Sequence, residues 1–334
     1  MAPVVSVLLP AYRAAATLGA ALRSIERQTF DDFECVVVDD GSDDETRAIA
    51  AAFADRDARF VVQSGAHSGV AGALCRGLAA CRGRYVARMD ADDLAHKRRL
   101  ERQVACLDSR PELGAVGAHV WMFPRATLSD GLRAHEQWLN SLGDPASVAR
   151  DAFVECPIVH PTLCIRRELL SAHGYRDAGW PQDYDLVLRL LASGVKLAVL
   201  PERLLGWRDG PARVTRTAEY TRRERIVACK AHHLAASFLD GTERYVLWGY
   251  GDTGRALCRA LGAHGKRPHT IVELHPRRIG QRIAGALVVH PSKLAPSARS
   301  KVVISVSGLA ARSEARARAR ALGLREGEDF VVAA

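Results

Sequence analysis

Two short apolar runs that break off into carboxylates do most to limit what this chain can fold into. Tyr85-Val-Ala-Arg-Met ends in Asp90, Asp92 and Asp93, and Cys35-Val-Val-Val ends in Asp39 and Asp40, followed by Gly41 and Ser42. A strand that delivers paired aspartates to its carboxyl end makes a hard-oxygen site for a divalent cation, and that site can also hold a diphosphate. A single D-x-D could equally be a solvated turn. Two acidic strand ends within one hundred residues argue for a site.

The surrounding pattern supplies a fold. Apolar runs over 4–9, 33–39, 60–63 and 85–89 read as strands, and the 3.6-residue periodicity over 17–27, 43–54 and 70–81 reads as helices. This alternation predicts a parallel α/β sheet covered on both faces. Ligands in such sheets bind at the carboxyl ends of the strands, where Pro10, Tyr12, Asp40, Asp90 and Asp92 all fall. Residues 97–155 are less regular, with helices expected over 97–107 and 135–142 and a strand over 115–122. Beyond them the pattern gives a strand over 161–166, helices over 167–173 and 183–193, a strand over 195–200 ended by Pro201, and a long helix over 217–236.

The charge is uneven. Residues 1–242 hold 31 basic and 31 acidic side chains, whereas residues 243–334 hold 16 and 7, so the whole net charge of +9 lies in the last quarter. That asymmetry supports two domains, 1–240 and 243–334, and an anionic partner for the second. A soluble basic surface explains the excess more simply than nucleic acid does, because no helix-turn-helix, zinc-finger or RNP-like pattern accompanies it. The second domain reads as a five-strand Rossmann-like unit. A strand over 245–248 leads into Gly249-Tyr-Gly251-Asp-Thr-Gly254 and a helix, and Glu273 follows 19 residues after Gly254 at the next strand end. This is the context of a nucleotide fingerprint: phosphate at the helix start, ribose on the acid. A structural or dimerising role fits the unit as well.

The eight cysteines are scattered without a C-x-x-C and read as buried hydrophobes of a reducing compartment. No signal-peptide pattern or run of about 18 apolar residues is present. The expectation is a cytoplasmic protein. Its basic side chains between 203 and 225 and in the last domain could hold it at the inner face of an anionic membrane.

The ordered motifs resemble family 2 glycosyltransferases of the GT-A fold. They are Val5-Ser-Val-Leu-Leu-Pro10-Ala-Tyr12, Ser24-Ile-Glu-Arg-Gln28-Thr-Phe30, Val38-Asp-Asp40-Gly-Ser42, Gly83-Arg-Tyr85 with Met89-Asp90-Ala-Asp92-Asp93, His160-Pro-Thr162, and Gly174-Tyr175 with Gln182-Asp183-Tyr184-Asp185. The resemblance covers roughly residues 3–215. It implies transfer of a single sugar, with inversion, from a nucleotide-sugar donor, commonly a UDP-sugar, to a hydroxyl of a surface glycan or lipid-linked acceptor. Pro10 and Tyr12 would frame the base, Asp40 would accept the uracil N–H, and Asp90 would contact the ribose or the metal's shell. Asp92 would coordinate Mg²⁺ or Mn²⁺, and Asp183 would act as general base. Asp39 reads better as a turn cap, Asp43 and Asp44 as helix N-terminal acids, and Asp93 as a metal ligand or a cap.

Three positions depart from the family's habit: Gln182 where Glu is frequent, Cys75 where Asn is frequent, and Gly210 where a late metal-assisting His is frequent. They leave room for a non-catalytic nucleotide-sugar sensor. A nicotinamide-dependent oxidoreductase built on Gly249, Gly251 and Gly254 is the remoter alternative. The Gln-x-x-Arg-Trp signature of processive synthases is absent.

Overall fold

The computed structural model describes residues 2–210, 222–294 and 300–334. It divides into two units, one of residues 1–148, 158–178 and 185–213, the other of residues 149–157, 179–184 and 214–334. Residues 217–221 of the expected long helix lie outside the described residues.

The first half of the chain runs β1 (Val5–Ala11), α1 (Ala15–Glu26), β2 (Phe33–Asp39), α2 (Thr46–Arg56), β3 (Phe60–Ser64), α3 (Gly69–Ala80), β4 (Tyr85–Arg88), β5 (Leu94–Ala95), α4 (Arg99–Ser109) and β6 (Leu113–Phe123). It continues through α5 (Asp130–Leu139), α6 (Pro145–Asp151), β7 (Cys164–Arg166), α7 (Arg167–His173), α8 (Gln182–Ala192) and β8 (Lys196–Arg208). The strands form one sheet in the order β3-β2-β1-β4-β7-β6-β8-β5. β1 pairs in parallel with both β2 and β4, with Ala11 opposite Asp39 and Leu8 opposite Arg88. The carboxyl ends of these three strands are therefore neighbours pointing the same way.

All seven residues of β2 are buried, as befits a strand covered on both faces. Its one mid-strand charge, Glu34, is satisfied by the Ser6 hydroxyl at 2.6 Å and by the Arg82 backbone N–H at 2.7 Å and Nε at 2.8 Å. Burial works against that carboxylate, but these donors outweigh it and hold its pKa below the usual range. α3 lies directly on β1 and β2: a Cβ built on Gly77 would stand 2.3 Å from Leu8 Cδ1 and 2.6 Å from Val38 Cγ2.

Several boundaries move for local reasons. α2 begins at Thr46 rather than 43. Asp43 is bound to Arg13, and Asp44 accepts from the Ala15 and Thr46 N–H groups in the loop before the helix. α5 starts at Asp130 because Ser129 caps it, its Oγ accepting from Leu132 N at 3.3 Å. Pro201 does not end β8. The strand continues to Arg208, and its pairing with β6 shifts there, with Ala118 opposite Leu200 but His119 opposite Arg203.

The rest of the chain runs α9 (Arg223–Ala236), β9 (Arg244–Trp248), α10 (Asp252–Gly262), β10 (Arg267–Val272), β11 (Arg282–Ile283), β12 (Ala286–Val289), β13 (Val302–Ile304), α11 (Leu309–Ala321) and β14 (Phe330–Val332). Its sheet, β11-β12-β10-β9-β13-β14, is parallel except for β11. It has six strands rather than the expected five. The extra edge strand is two residues long, folded back by a tight turn with positive φ at Ala284 and Gly285, too short to show a period. Val227, Ala231 and Leu234 of α9 share one apolar core with Leu247, Leu257 and Ile271. The expected boundary at 240 falls after this helix. Burial pushes the Cys81 and Cys164 thiols up to about 12. No helix among the described residues is long and apolar enough to cross a membrane.

Because a Cβ at Gly77 would run into the buried Leu8 and Val38 side chains, Gly77→Ala should lower unfolding stability by about 2 kcal/mol, an overpacking cost that exceeds alanine's gain in helix propensity. Urea denaturation with an unchanged m-value is the measurement.

Candidate functional site

Three neighbouring strand ends in the first unit bring five of the sequence-selected residues to one edge of the sheet. β1 ends in Pro10, Ala11 and Tyr12, β2 in Asp39 and Asp40, and β4 in Asp90, Asp92 and Asp93. β1 is followed by β2 on one side and, after β3, by β4 on the other, so this edge is where the connections diverge and a crevice opens.

On the β2 side, Asp40 is 2% exposed. Its carboxylate accepts from Ser68 N at 3.0 Å, from Ser68 Oγ at 2.8 Å and from Arg76 Nη1 at 3.3 Å, and lies 3.0 Å from His67 Nδ1. Those partners anchor it to the start of α3. The Tyr12 ring, 41% exposed, stacks on the His67 ring with centroids 4.1 Å apart. The close approach of the two loops needs Gly41, where φ is +74° and a Cβ would stand 2.7 Å from His67 N. Asp39 caps the turn, accepting from Ser42 N at 3.1 Å. His67 was not singled out in the sequence. Its only signal there is an aromatic ring just ahead of the next helix.

On the β4 side, carboxylate oxygens of Asp90, Asp92 and Asp93 lie within 4.8 Å of one another. Such a cluster of hard oxygens suits a divalent cation. The backing is cationic. Arg88, inside the apolar run, is fully buried and ion-paired to Asp90. Burial opposes its charge, but Asp90 and Asp93 help to hold its pKa above the ordinary value. Arg99 lies behind it with no exposed surface, donating to the Arg88 carbonyl at 2.6 Å and to Gln103 Oε1 at 3.1 Å, and burial lowers it to about 10. Asp93, 1% exposed, accepts the Arg208 N–H at 2.8 Å, and Arg208 Nε donates to the Asp92 carbonyl at 2.7 Å. The end of β8 is thus fastened to the acidic turn. Arg88 and Arg208 are site residues that the sequence reading missed, although an arginine inside an apolar run is a signal for Arg88.

His160 is buried against this region, with Nε2 3.0 Å from the Tyr175 hydroxyl, and burial together with the Arg88 charge keeps its pKa well below 6.5. The Cys75 thiol lies 3.6 Å from the Tyr175 carbonyl, within reach of a weak S–H donor bond. Asp183 is the second residue of α8, half-buried, and its Oδ1 accepts the Tyr184 N–H at 2.9 Å. It groups by contacts with the second unit, as do Gly249, Gly251, Gly254 and Glu273 at the ends of β9 and β10.

The family model for glycosyl transferase family 2 matches residues 6–173. The amylovoran biosynthesis glycosyltransferase AmsE of Erwinia amylovora is 31% identical over 195 residues, covering 58% of this chain and 71% of the relative. Among solved structures, residues 1–349 of Staphylococcus aureus TarS in complex with UDP-GlcNAc superpose with a TM-score of 0.57 at 17% identity, over 79% of this chain and 72% of that one. The Pyrobaculum calidifontis mannosyltransferase PcManGT, in complex with GDP-Man and Mn²⁺, gives 0.52 at 22% identity, over 79% and 70%.

His160 gives a pH test. It stays neutral in the folded protein and protonates in the unfolded chain below pH about 6.5. The unfolded state then binds the extra proton, so stability falls as pH drops through 6.5, by about 1.4 kcal/mol per unit. His160→Gln should flatten that part of the stability profile between pH 7 and 5, read by urea melts at each pH.

Proposed function

Because the chain belongs to glycosyl transferase family 2, we propose that it moves one sugar, with inversion, from a nucleotide-sugar donor to a hydroxyl of a growing polysaccharide. The observation that carries this reading is the gathering of the Asp90, Asp92 and Asp93 carboxylates at a strand end, next to the strand ends that carry Tyr12 and Asp40.

The donor's base would lie at Pro10, Tyr12 and Asp40. The stacked Tyr12 and His67 rings offer it an aromatic face, and a UDP-sugar is the donor that an N–H acceptor at Asp40 favours. Asp92, with Asp90 beside it, would hold Mg²⁺ or Mn²⁺. Arg88 balances one of the three carboxylate charges, which leaves about the charge a divalent ion needs. The ion's contribution when bound is Lewis-acid relief of charge on the departing diphosphate. Arg208, held against the Asp92 carbonyl, adds a fixed positive charge at the same turn.

Asp183 would take the proton from the acceptor hydroxyl. The acceptor oxygen forms its bond to the anomeric carbon as the bond to the diphosphate oxygen breaks, and the electron pair leaves with the nucleoside diphosphate. One displacement inverts the centre and needs no enzyme nucleophile. The mannosyltransferase bound to GDP-Man and Mn²⁺ and the TarS fragment bound to UDP-GlcNAc support a nucleotide-sugar and a divalent cation as ligands. The relative's role in amylovoran biosynthesis supports a polysaccharide as product.

The test is nucleoside diphosphate release from a panel of nucleotide sugars, with Mn²⁺ and with EDTA. Turnover of one donor should vanish with EDTA and in Asp92→Ala. Asp183→Asn should keep donor affinity while kcat falls by about 10²–10⁴-fold. Donor binding without any turnover, in the presence of candidate acceptors, would instead favour a sensor. The basic excess of residues 243–334 also supports residence at an anionic bilayer that carries a lipid-linked acceptor. Sedimentation with phosphatidylserine vesicles should increase with their anionic content and weaken in salt, and sedimentation independent of lipid charge would remove this part of the reading.

A further inference from the structure

The second unit contains a cleft lined by none of the residues assigned above to the donor, the metal or the acceptor proton. It has a volume of about 610 Å³, within the range of small-ligand sites, and opens at the carboxyl ends of β9, β10 and β13. β9 lies between β10 and β13. The chain leaves β9 towards β10 and returns on the other side as β13, so the loops part at this point and open a crevice.

The three glycines of the turn between β9 and α10 are there for different reasons. Gly249 has φ +96°, and a Cβ on it would stand 2.7 Å from the Ser305 carbonyl oxygen. A Cβ on Gly254 would stand 2.1 Å from the Gly249 oxygen. Protein packing therefore explains both. Gly251 is different. Its φ of −74° suits any residue, and a Cβ there would meet nothing within 4 Å. Neither backbone strain nor a neighbour among the described residues calls for glycine at 251, which as the helix cap leaves the backbone open to close approach from the cleft.

Other features of the cleft wall agree. Gly251 caps α10 with no side chain satisfying the helix's first N–H groups, which leaves them and the positive end of the dipole for an anion. The Ser305 hydroxyl, on a residue 3% exposed in the cleft lining, has no hydrogen-bond partner among the described residues. A buried hydroxyl left so is costly unless a ligand or water completes it. Two guanidinium groups line the same space. Arg223 donates to Thr253 Oγ1 at 2.9 Å, and Arg278 donates to the Tyr250 carbonyl at 3.0 Å and to Glu273 Oε2 at 3.1 Å. The one acid in the first turn of α10, Asp252, is ion-paired with Arg255. Glu273 stands just past the end of β10, where a carboxylate can accept from a ribose diol. Leu274 beside it is 54% exposed and offers an apolar wall for a base.

We propose that this cleft binds a nucleoside diphosphate, free or within a larger molecule. The diphosphate lies on the turn from Gly249 to Gly254, and both free ribose hydroxyls lie on Glu273. Binding here is independent of the donor site, and no redox step is involved.

The experiment is calorimetry on the full chain carrying Asp92→Ala, in EDTA to suppress metal-dependent donor binding. ADP, GDP, UDP, NAD⁺ and NADP⁺ are the probes. At least one ligand with an unmodified ribose should bind with a stoichiometry near one. Gly251→Val should weaken it at least tenfold while melting like its parent, since the added side chain meets only open space. Glu273→Ala should weaken it about tenfold, and this loss should disappear when the ligand's 2′-deoxy form is compared. Three results would overturn the proposal: no binding by any probe, binding indifferent to Gly251→Val, or binding of NADP⁺ alone. Nucleotide binding left in the donor site would show itself as the second of these, so failure of this proposal and failure of the transferase reading are distinguishable.

Discussion

The ion pair between the buried Arg88 and the partly exposed Asp90 supports the acidic turn at the end of β4. Three carboxylates with oxygens within 4.8 Å of one another repel strongly where water is scarce. Arg88 supplies a fixed counter-charge from inside the strand, and Arg99 holds the Arg88 carbonyl from behind. Asp93 is engaged by the backbone of Arg208, so the end of β8 depends on the same turn. The site's electrostatics and the closing of the sheet are therefore one arrangement. Removing Arg88 would disturb both, because it takes away the counter-charge behind three clustered carboxylates.

The two sheets solve the same problem with different chemistry. Each places a ligand-competent edge where the connections leave a central strand in opposite directions. In the first sheet the edge is anionic and aromatic: Asp40, Asp90 and Asp92 with Tyr12. In the second it is backbone amide, hydroxyl and guanidinium, with the carboxylates of Asp252 and Glu273. The first edge suits a cation and a base, and the second suits an anion directly. Both depend on glycines where loops crowd, Gly41 against His67 and Gly249 against Ser305.

Much of this was legible in the residues. The expected strand over 33–39 and the helix over 167–173 match the observed bounds, because a mostly apolar run and a glycine stop leave little choice. Elements that failed to show were short or hidden by competing signals. β5 and β11 have two residues each, too few for a period. Pro201 reads as a stop, yet a register shift absorbs it inside β8. Ser129, which sets the start of α5, is one polar residue among several. The roles of His67 and Arg208 were not legible, because each acts through residues far away in sequence, Asp40 for one and Asp92 and Asp93 for the other. Arg88 pairs with Asp90 two residues on, and only its burial, which packing decides, makes that pair matter.

The sequence by itself determined the α/β alternation, the acidic strand ends and the glycine turn, since these follow from periodicity and from the side chains that strands and tight turns accept. It also determined the family, through six motifs in order. Tertiary structure alone decided which donors each carboxylate meets. Asp39 caps its own loop, Asp40 is anchored to Ser68 and Arg76, and Asp93 is tied to β8. The physical reason is that a carboxylate's role is set by the donors around it. Those donors arrive from strands and helices whose meeting is a property of the packed sheet.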